Sequence, residues 1–482
     1  MLLLAICVIF LVAATIYVYY PSSPINDQLL AIKAQHAGLD FLKALKEHRG
    51  MQYIQLEFAQ YGHTFTQWQL GSHYIWSDEP ANIKEVLTVQ FPNFSMGTVR
   101  RDAAIPLIGN GIFLSEGARW SHLRSVIRPP FNRAQVADLT MFEAHLQDLF
   151  ARIPEHGTTV DLQDLFYDLT LDNTTDYLFG YSINTLRPDS DQTYKDFNVA
   201  FTHGLSRIWP RTRMRFLMDL IPDPEFRKSC KVVHTVVDNL ISQSLSTRKS
   251  TDLEKDPARY IYLHEVAVST DDPLELRAHV LSILMAAKDS AAAGLSSTFY
   301  LLARHPEVWN RLSIEIGELN GKIPTFDQLK KLKYVYNVIN EVMRLFPPVP
   351  INVRRATTDT YLPKGGGPSG TKPMLVKKND TFFYSVYAMH RRKDLWGNDA
   401  DEFKPERFEG RQPGPEFLPF NSGPRICVGQ VFAMTEMAYV ITRMVQCFES
   451  IESRDKSEWK ERLGVNLSSL NGVKVGLTAR ER

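Results

Sequence analysis

Cysteine is sparse in this chain. Cys7, Cys230, Cys427 and Cys447 are the four among 482 residues, and none stands in a C-x-x-C pair. That excludes a zinc ribbon, a thioredoxin motif and a disulfide framework. Net charge is almost absent as well: 55 basic against 54 acidic side chains leave +1. Composition therefore supplies no general attraction to nucleic acid. No G-x-G-x-x-G follows a strand-like run, and Gly365-Gly366-Gly367 lacks the Lys-Ser/Thr of a phosphate loop. Dinucleotide and P-loop sites are thus missing. There are no internal repeats and no low-complexity linkers, although the length alone predicts two or three domains. Beyond Tyr20 no apolar run is long enough to span a bilayer, which excludes a polytopic membrane protein.

The first twenty residues, MLLLAICVIFLVAATIYVYY, carry no charged side chain. As a helix they rise about 30 Å, the thickness of a bilayer's hydrocarbon core. Tyr17, Tyr19 and Tyr20 gather at one end, where amphipathic rings favour the membrane interface, and Pro21-Ser22-Ser23-Pro24 stops the helix. A cleaved signal peptide needs a basic n-region and a shorter apolar run. The pattern predicts an uncleaved single-span anchor over residues 1–20, a hinge at 21–24 and a body at 25–482. Sequons at Asn93, Asn173, Asn379 and Asn466 matter only if the body is lumenal.

The body reads as mostly helical. Leu162, Leu165, Phe166 and Leu169 form a helical stripe. Leu274 to Arg304 reads as a long helix, apolar nearly all round from Val280 to Ala293 and hence buried. Tyr74–Trp76 reads as a strand. Met374–Val376 and Phe382–Tyr387 flank Lys377-Lys378-Asn379-Asp380 and read as a hairpin-like pair.

Chemistry concentrates at Phe420-Asn421-Ser422-Gly423-Pro424-Arg425-Ile426-Cys427-Val428-Gly429. Two glycines make a turn, a basic residue precedes the cysteine by two positions, and helical periodicity follows from Val428 to Phe448. Backbone N–H groups at a helix N-terminus stabilise a thiolate, so Cys427 is well placed to hold a metal.

This segment resembles the F-x-x-G-x-R-x-C-x-G haem loop of the cytochrome P450 superfamily at every fixed position. Glu341-Val342-Met343-Arg344 resembles the family's E-x-x-R, and Pro405-Glu406-Arg407-Phe408 its P-E-R-F. The resemblance implies that Glu341, Arg344 and Arg407 form a structural triad behind the haem. Trp120-Ser121-His122-Leu123-Arg124 resembles the family's W-x-x-x-R, whose ends reach a haem propionate; Arg354 and Arg425 match two further propionate partners, and Phe420 opens the loop. Ala286-Ala287-Lys288-Asp289-Ser290-Ala291 resembles the oxygen-activating A-G-x-D-T-T, with Ala287 for glycine and Ser290 for threonine. Asp289 would relay protons and Ser290 would hydrogen-bond the oxygen, without the methyl that fixes a threonine rotamer. Gly111-Ile112-Phe113, Arg128-Pro129-Pro130-Phe131, Leu178-Phe179-Gly180, Pro350-Ile351-Asn352, Gly365-Gly366-Gly367 and Tyr387-Ala388-Met389-His390-Arg391-Arg392 resemble the fungal alkane and fatty-acid hydroxylase branch.

What the resemblance implies is a single mainly α domain with a smaller β-rich lobe, overriding the domain count from length. Haem b would lie between the long helix and the Cys427 loop, with the thiolate favouring O–O cleavage. The activity implied is a monooxygenase acting on a lipophilic substrate such as a fatty acid or alkane chain. A tailoring oxygenase of fungal secondary metabolism is the alternative, and a reductase-independent haem isomerase or dehydratase a further one. No flavin or nicotinamide signature is present, so electrons would come from NADPH through a partner flavoprotein reductase. The location implied is the endoplasmic reticulum membrane with the body cytosolic. Ile105, Leu107 and Ile108 would lie in a loop at the mouth of the substrate channel.

Overall fold

The computed structural model describes residues 39–69, 72–131, 137–154, 157–214, 222–250 and 260–480. The anchor and hinge expected at 1–24 lie outside them. Among the described residues no helix is long and apolar enough to cross a membrane. They fall into two compact units, one drawn from the chain up to Ser95 together with Ile351–Ala388, the other from Met96–Pro350 and Met389–Arg482.

The larger unit is mainly helical. Its central helix runs from Pro273 to Leu302. Asp272 caps it by accepting from the Leu274 N–H at 2.9 Å, and Pro273 occupies the first turn, where its missing N–H costs nothing. Alongside runs the helix Leu162–Phe179, capped by Asp161 and ended by Gly180 in the left-handed region. Phe166 and Phe299 meet between them at 5.1 Å, and the Thr170 hydroxyl donates to the Lys288 carbonyl at 2.8 Å. The helix expected after Cys427 runs from Gln430 to Cys447. It packs so closely on the central helix that a Cβ at Gly294 would stand 3.0 Å from the Met437 methyl. Helix Lys333–Leu345 carries Glu341 and Arg344.

The smaller unit is β-rich. Strands β1 (Thr64–Gln69), β2 (Ser72–Ser77), β3 (Phe94–Ser95), β4 (Ile351–Ala356), β5 (Thr360–Gly366), β6 (Lys372–Val376) and β7 (Thr381–Ser385) form two sheets. The first has the order β1-β2-β7-β4-β3, with β2 and β7 parallel and the other neighbours antiparallel; the second pairs β5 with β6. The larger unit adds a short hairpin, β8 (Glu461–Leu463) and β9 (Leu467–Ser469).

Two expectations need correction. Strands β6 and β7 do not pair with each other. β7 already has β2 on one edge and β4 on the other, and Phe382 and Tyr384 on it are fully buried, so no edge remains for β6. The intervening residues form a turn, with Asn379 at φ 76° and Asp380 accepting from the Lys377 N–H at 2.9 Å. Leu107 and Ile108 are not in a loop: they end the helix Thr98–Ile108 and are buried, while Ile105 is exposed. Of the four sequons, Asn173 is fully buried, and its amide donates to Glu436 at 2.7 Å.

Candidate active site

Cys427 is anchored by its own backbone: its N–H donates to the Phe420 carbonyl at 3.0 Å, closing the loop. The side chain is open to solvent, yet protein surrounds it closely enough for desolvation to push its thiol pKa up. The Gly429 N–H and the charge of Arg124 pull the other way, toward thiolate. Val428 and Gly429 still precede the first helical residue, so this N–H is one that no helical carbonyl uses.

Trp120 and Arg124 come from one helix, Gly117–Ile127, at a spacing that puts them on one face. Arg124 donates to the Ile426 carbonyl at 2.7 Å, next to Cys427. The Arg425 guanidinium lies over the Trp120 ring at 4.6 Å, donates to the Ser115 carbonyl at 2.7 Å and pairs with Glu116 at 3.1 Å. Trp120, Arg124, Arg425, Phe420 and Cys427 therefore belong to one neighbourhood. Arg354 sits on β4 of the smaller unit. It is buried, donates to the Val353 carbonyl at 2.8 Å, lies over the Tyr384 ring and pairs with no carboxylate among the described residues.

The central helix is buried along most of its length, but Ala286, Ala287, Asp289 and Ser290 are only half-buried. Ala286 and Ser290 are four apart, so two small side chains open one face of an otherwise packed helix. The Ser290 hydroxyl donates to Asn466 Oδ1 at 3.4 Å. Asp289 pairs with Lys288 at 2.9 Å. Lys288 is buried, 3.4 Å from the Thr202 hydroxyl and 5.5 Å from the centre of the Tyr167 ring. The acid is thus not a lone charge in an apolar helix. Lys288, read only as a variable position of the motif, is its counterion.

Glu341, Arg344 and Arg407 form a closed cluster. Arg344 grips Glu341 with two bonds at 2.7 and 2.8 Å and donates to the carbonyls of His390, Ala400 and Glu402. Arg407 reaches Glu341 at 3.4 Å, pairs with Asp399 at 2.9 Å and donates to the Trp396 carbonyl. Arg407 and Lys404 hold the Asp399 carboxyl down at about 2. His390, which the motif reading passed over, links this cluster to the cysteine loop. It bonds the Arg344 carbonyl through Nδ1 at 3.1 Å and accepts from the Leu418 N–H through Nε2 at 2.9 Å, two residues before Phe420. Those partners require the neutral ring with its proton on Nδ1. Burial and Arg344 push its pKa down to about 3.

The donor set fits a haem: one desolvated, reachable sulfur with a backbone N–H on it, guanidinium groups beside it, and a helix face of small side chains in the same unit. Together with the fold, this set defines a haem-thiolate enzyme. Comparison with known proteins agrees. The Cytochrome P450 family model matches residues 40–472. The chain is 42% identical to cytochrome P450 monooxygenase himC of Aspergillus japonicus, over 91% of this chain and 81% of that one. It is 40% identical to cytochrome P450 monooxygenase fsdH of Fusarium heterosporum, covering 91% and 80%. It is 39% identical to cytochrome P450 52E1 of Candida apicola, covering 90% and 88%. The chain belongs to the cytochrome P450 family and is a monooxygenase of it, a haem-thiolate enzyme that receives electrons from a redox partner.

Proposed function

We propose that this monooxygenase inserts one atom of O2 into a C–H bond of a lipophilic substrate and reduces the other to water, with two electrons delivered from NADPH by a membrane flavoprotein reductase and two protons from solvent. A haem with a cysteine thiolate supplies O–O cleavage and oxygen insertion. In this reading Cys427 is the thiolate, with the Gly429 N–H and Arg124 favouring its charged form. Arg124 and Arg425 would neutralise the propionates, and Trp120 packs beneath Arg425. Ser290 offers its hydroxyl to dioxygen, and Asp289, held by Lys288, passes protons inward. Residues 1–20 anchor the chain in the endoplasmic reticulum membrane with the body in the cytosol. The carrying observation is the accessible, desolvated Cys427 beside Arg124.

For the substrate we favour an aliphatic chain. The branch resemblance and the apolar Ala286–Ala287 face support it. Each buried methylene contributes about 0.8 kcal/mol, so binding tightens with chain length until the site is full. The test is a series of saturated fatty acids with reductase and NADPH, scored for hydroxylated product. Turnover of a cyclic or polyketide-derived compound, with no fatty acid bound, transfers the assignment to secondary-metabolite tailoring. Ala287 and Ser290, which depart from the family motif, are the observation favouring that second reading.

A further inference from the structure

Asn466 closes the turn of the β8–β9 hairpin, where its carbonyl accepts from the Gly464 N–H at 3.0 Å. The hairpin is pinned to the helix Leu162–Phe179, where the Gln163 amide donates to the Ser469 carbonyl at 3.0 Å. Asn466 is only 8% exposed. As placed, Oδ1 takes the Ser290 proton at 3.4 Å, while Nδ2 is out of reach of solvent and has no partner.

Those two facts conflict with the chemistry of the pair. A buried, unpaired N–H costs more than an under-used carbonyl oxygen. An amide's oxygen and nitrogen are told apart only by their partners. Turning the amide over keeps the same contact, lets Nδ2 donate to Ser290 Oγ, and leaves the orphan position to an acceptor. It also frees the serine proton from the Asn466 contact, on a residue that is itself only half-buried.

We propose that Asn466 is a positioning residue for Ser290: it donates to the serine oxygen and so directs the serine proton outward, doing by hydrogen bond what the threonine methyl does sterically. The proposal rests on the reading that Ser290 faces the oxygen site. Its test needs no substrate. Carbon monoxide is bound to the reduced holoenzyme and its C–O stretching frequency measured, because a donor at the ligand's oxygen lowers that frequency. Ser290→Ala raises the frequency above wild type. Asn466→Leu raises it toward the same value, and Ser290→Thr in the Asn466→Leu background restores it. Asn466→Asp, which has no donor and takes the serine proton, matches Ser290→Ala. A wild-type frequency in Asn466→Leu overturns the proposal, as does a raised one that Ser290→Thr leaves unrestored. Should Asn466→Asp fail to fold, the leucine variant and its rescue decide. Equal frequencies in wild type and Ser290→Ala remove the reading of Ser290 itself, and the proposal with it.

Discussion

Glu341 and Ser290 lie in the same unit and are held very differently. Glu341 is fully buried and receives hydrogen bonds from Arg344, from Arg407 and from the Lys404 N–H. Every N–H of the Arg344 guanidinium has an acceptor there. Ser290 is half-buried and has one contact, at 3.4 Å, with an amide whose other end is unpaired. The first region is completed by the chain's own groups, so any change in it subtracts. The second keeps small side chains and spare hydrogen-bonding capacity, which is what a surface that receives ligands needs. A closed polar network fixes where the cysteine loop sits, and an open one leaves room for chemistry.

Changes on the closed side should show the larger effects. Glu341→Ala leaves the buried Arg344 guanidinium without its carboxylate and Arg407 with Asp399 alone, and should cost about 3–5 kcal/mol, seen as a lowered Tm and poor haem retention. A variant that folds, keeps its haem and merely turns over more slowly would break the contrast. Lys288→Met strips Asp289 of its cation. Asp289 keeps some contact with solvent, so we expect a smaller loss of about 1–2 kcal/mol, read from urea unfolding, with more peroxide formed per electron pair.

Glu436 sharpens the comparison from within the core. Burial raises its carboxyl to about 8, against an ordinary 4.5, and its one side-chain bond comes from Asn173. The folded state holds a proton there that the unfolded state releases. Stability should therefore fall as pH rises from about 4.5 through 8, by at most about 1.4 kcal/mol per unit. Glu436→Gln should flatten that slope in urea midpoints measured across this range. An unchanged slope would mean that the group titrates normally. The smallest effect is expected at the far end of the chain: removal of residues 1–20 should shift the protein toward the soluble fraction and leave the haem spectrum as it was.

Much of this was legible in the residues. The cysteine loop, the E-x-x-R pair and the W-x-x-x-R pair are local spacings, and local spacing determines which side chains share a helix face. The central helix and the helix after Cys427 follow from apolar period, since burial enforces it. Strand partners were less accessible: β2 and β7 are parallel neighbours far apart in sequence, and nothing near Phe382 announces that both its edges are taken. Lys288 was in plain view within the motif, but its burial depends on the Tyr167 helix packed against it. Asn466 is 176 residues from Ser290, and only the hairpin brings the two together.

The central claim is that Cys427 is the thiolate around which both regions are arranged. Its most direct test is the absorption spectrum of carbon monoxide bound to the reduced, purified protein, compared between wild type and Cys427→Ala. Wild type should show the red-shifted Soret band of thiolate ligation, and the folded variant should lack it. A wild-type band in folded Cys427→Ala would contradict the account.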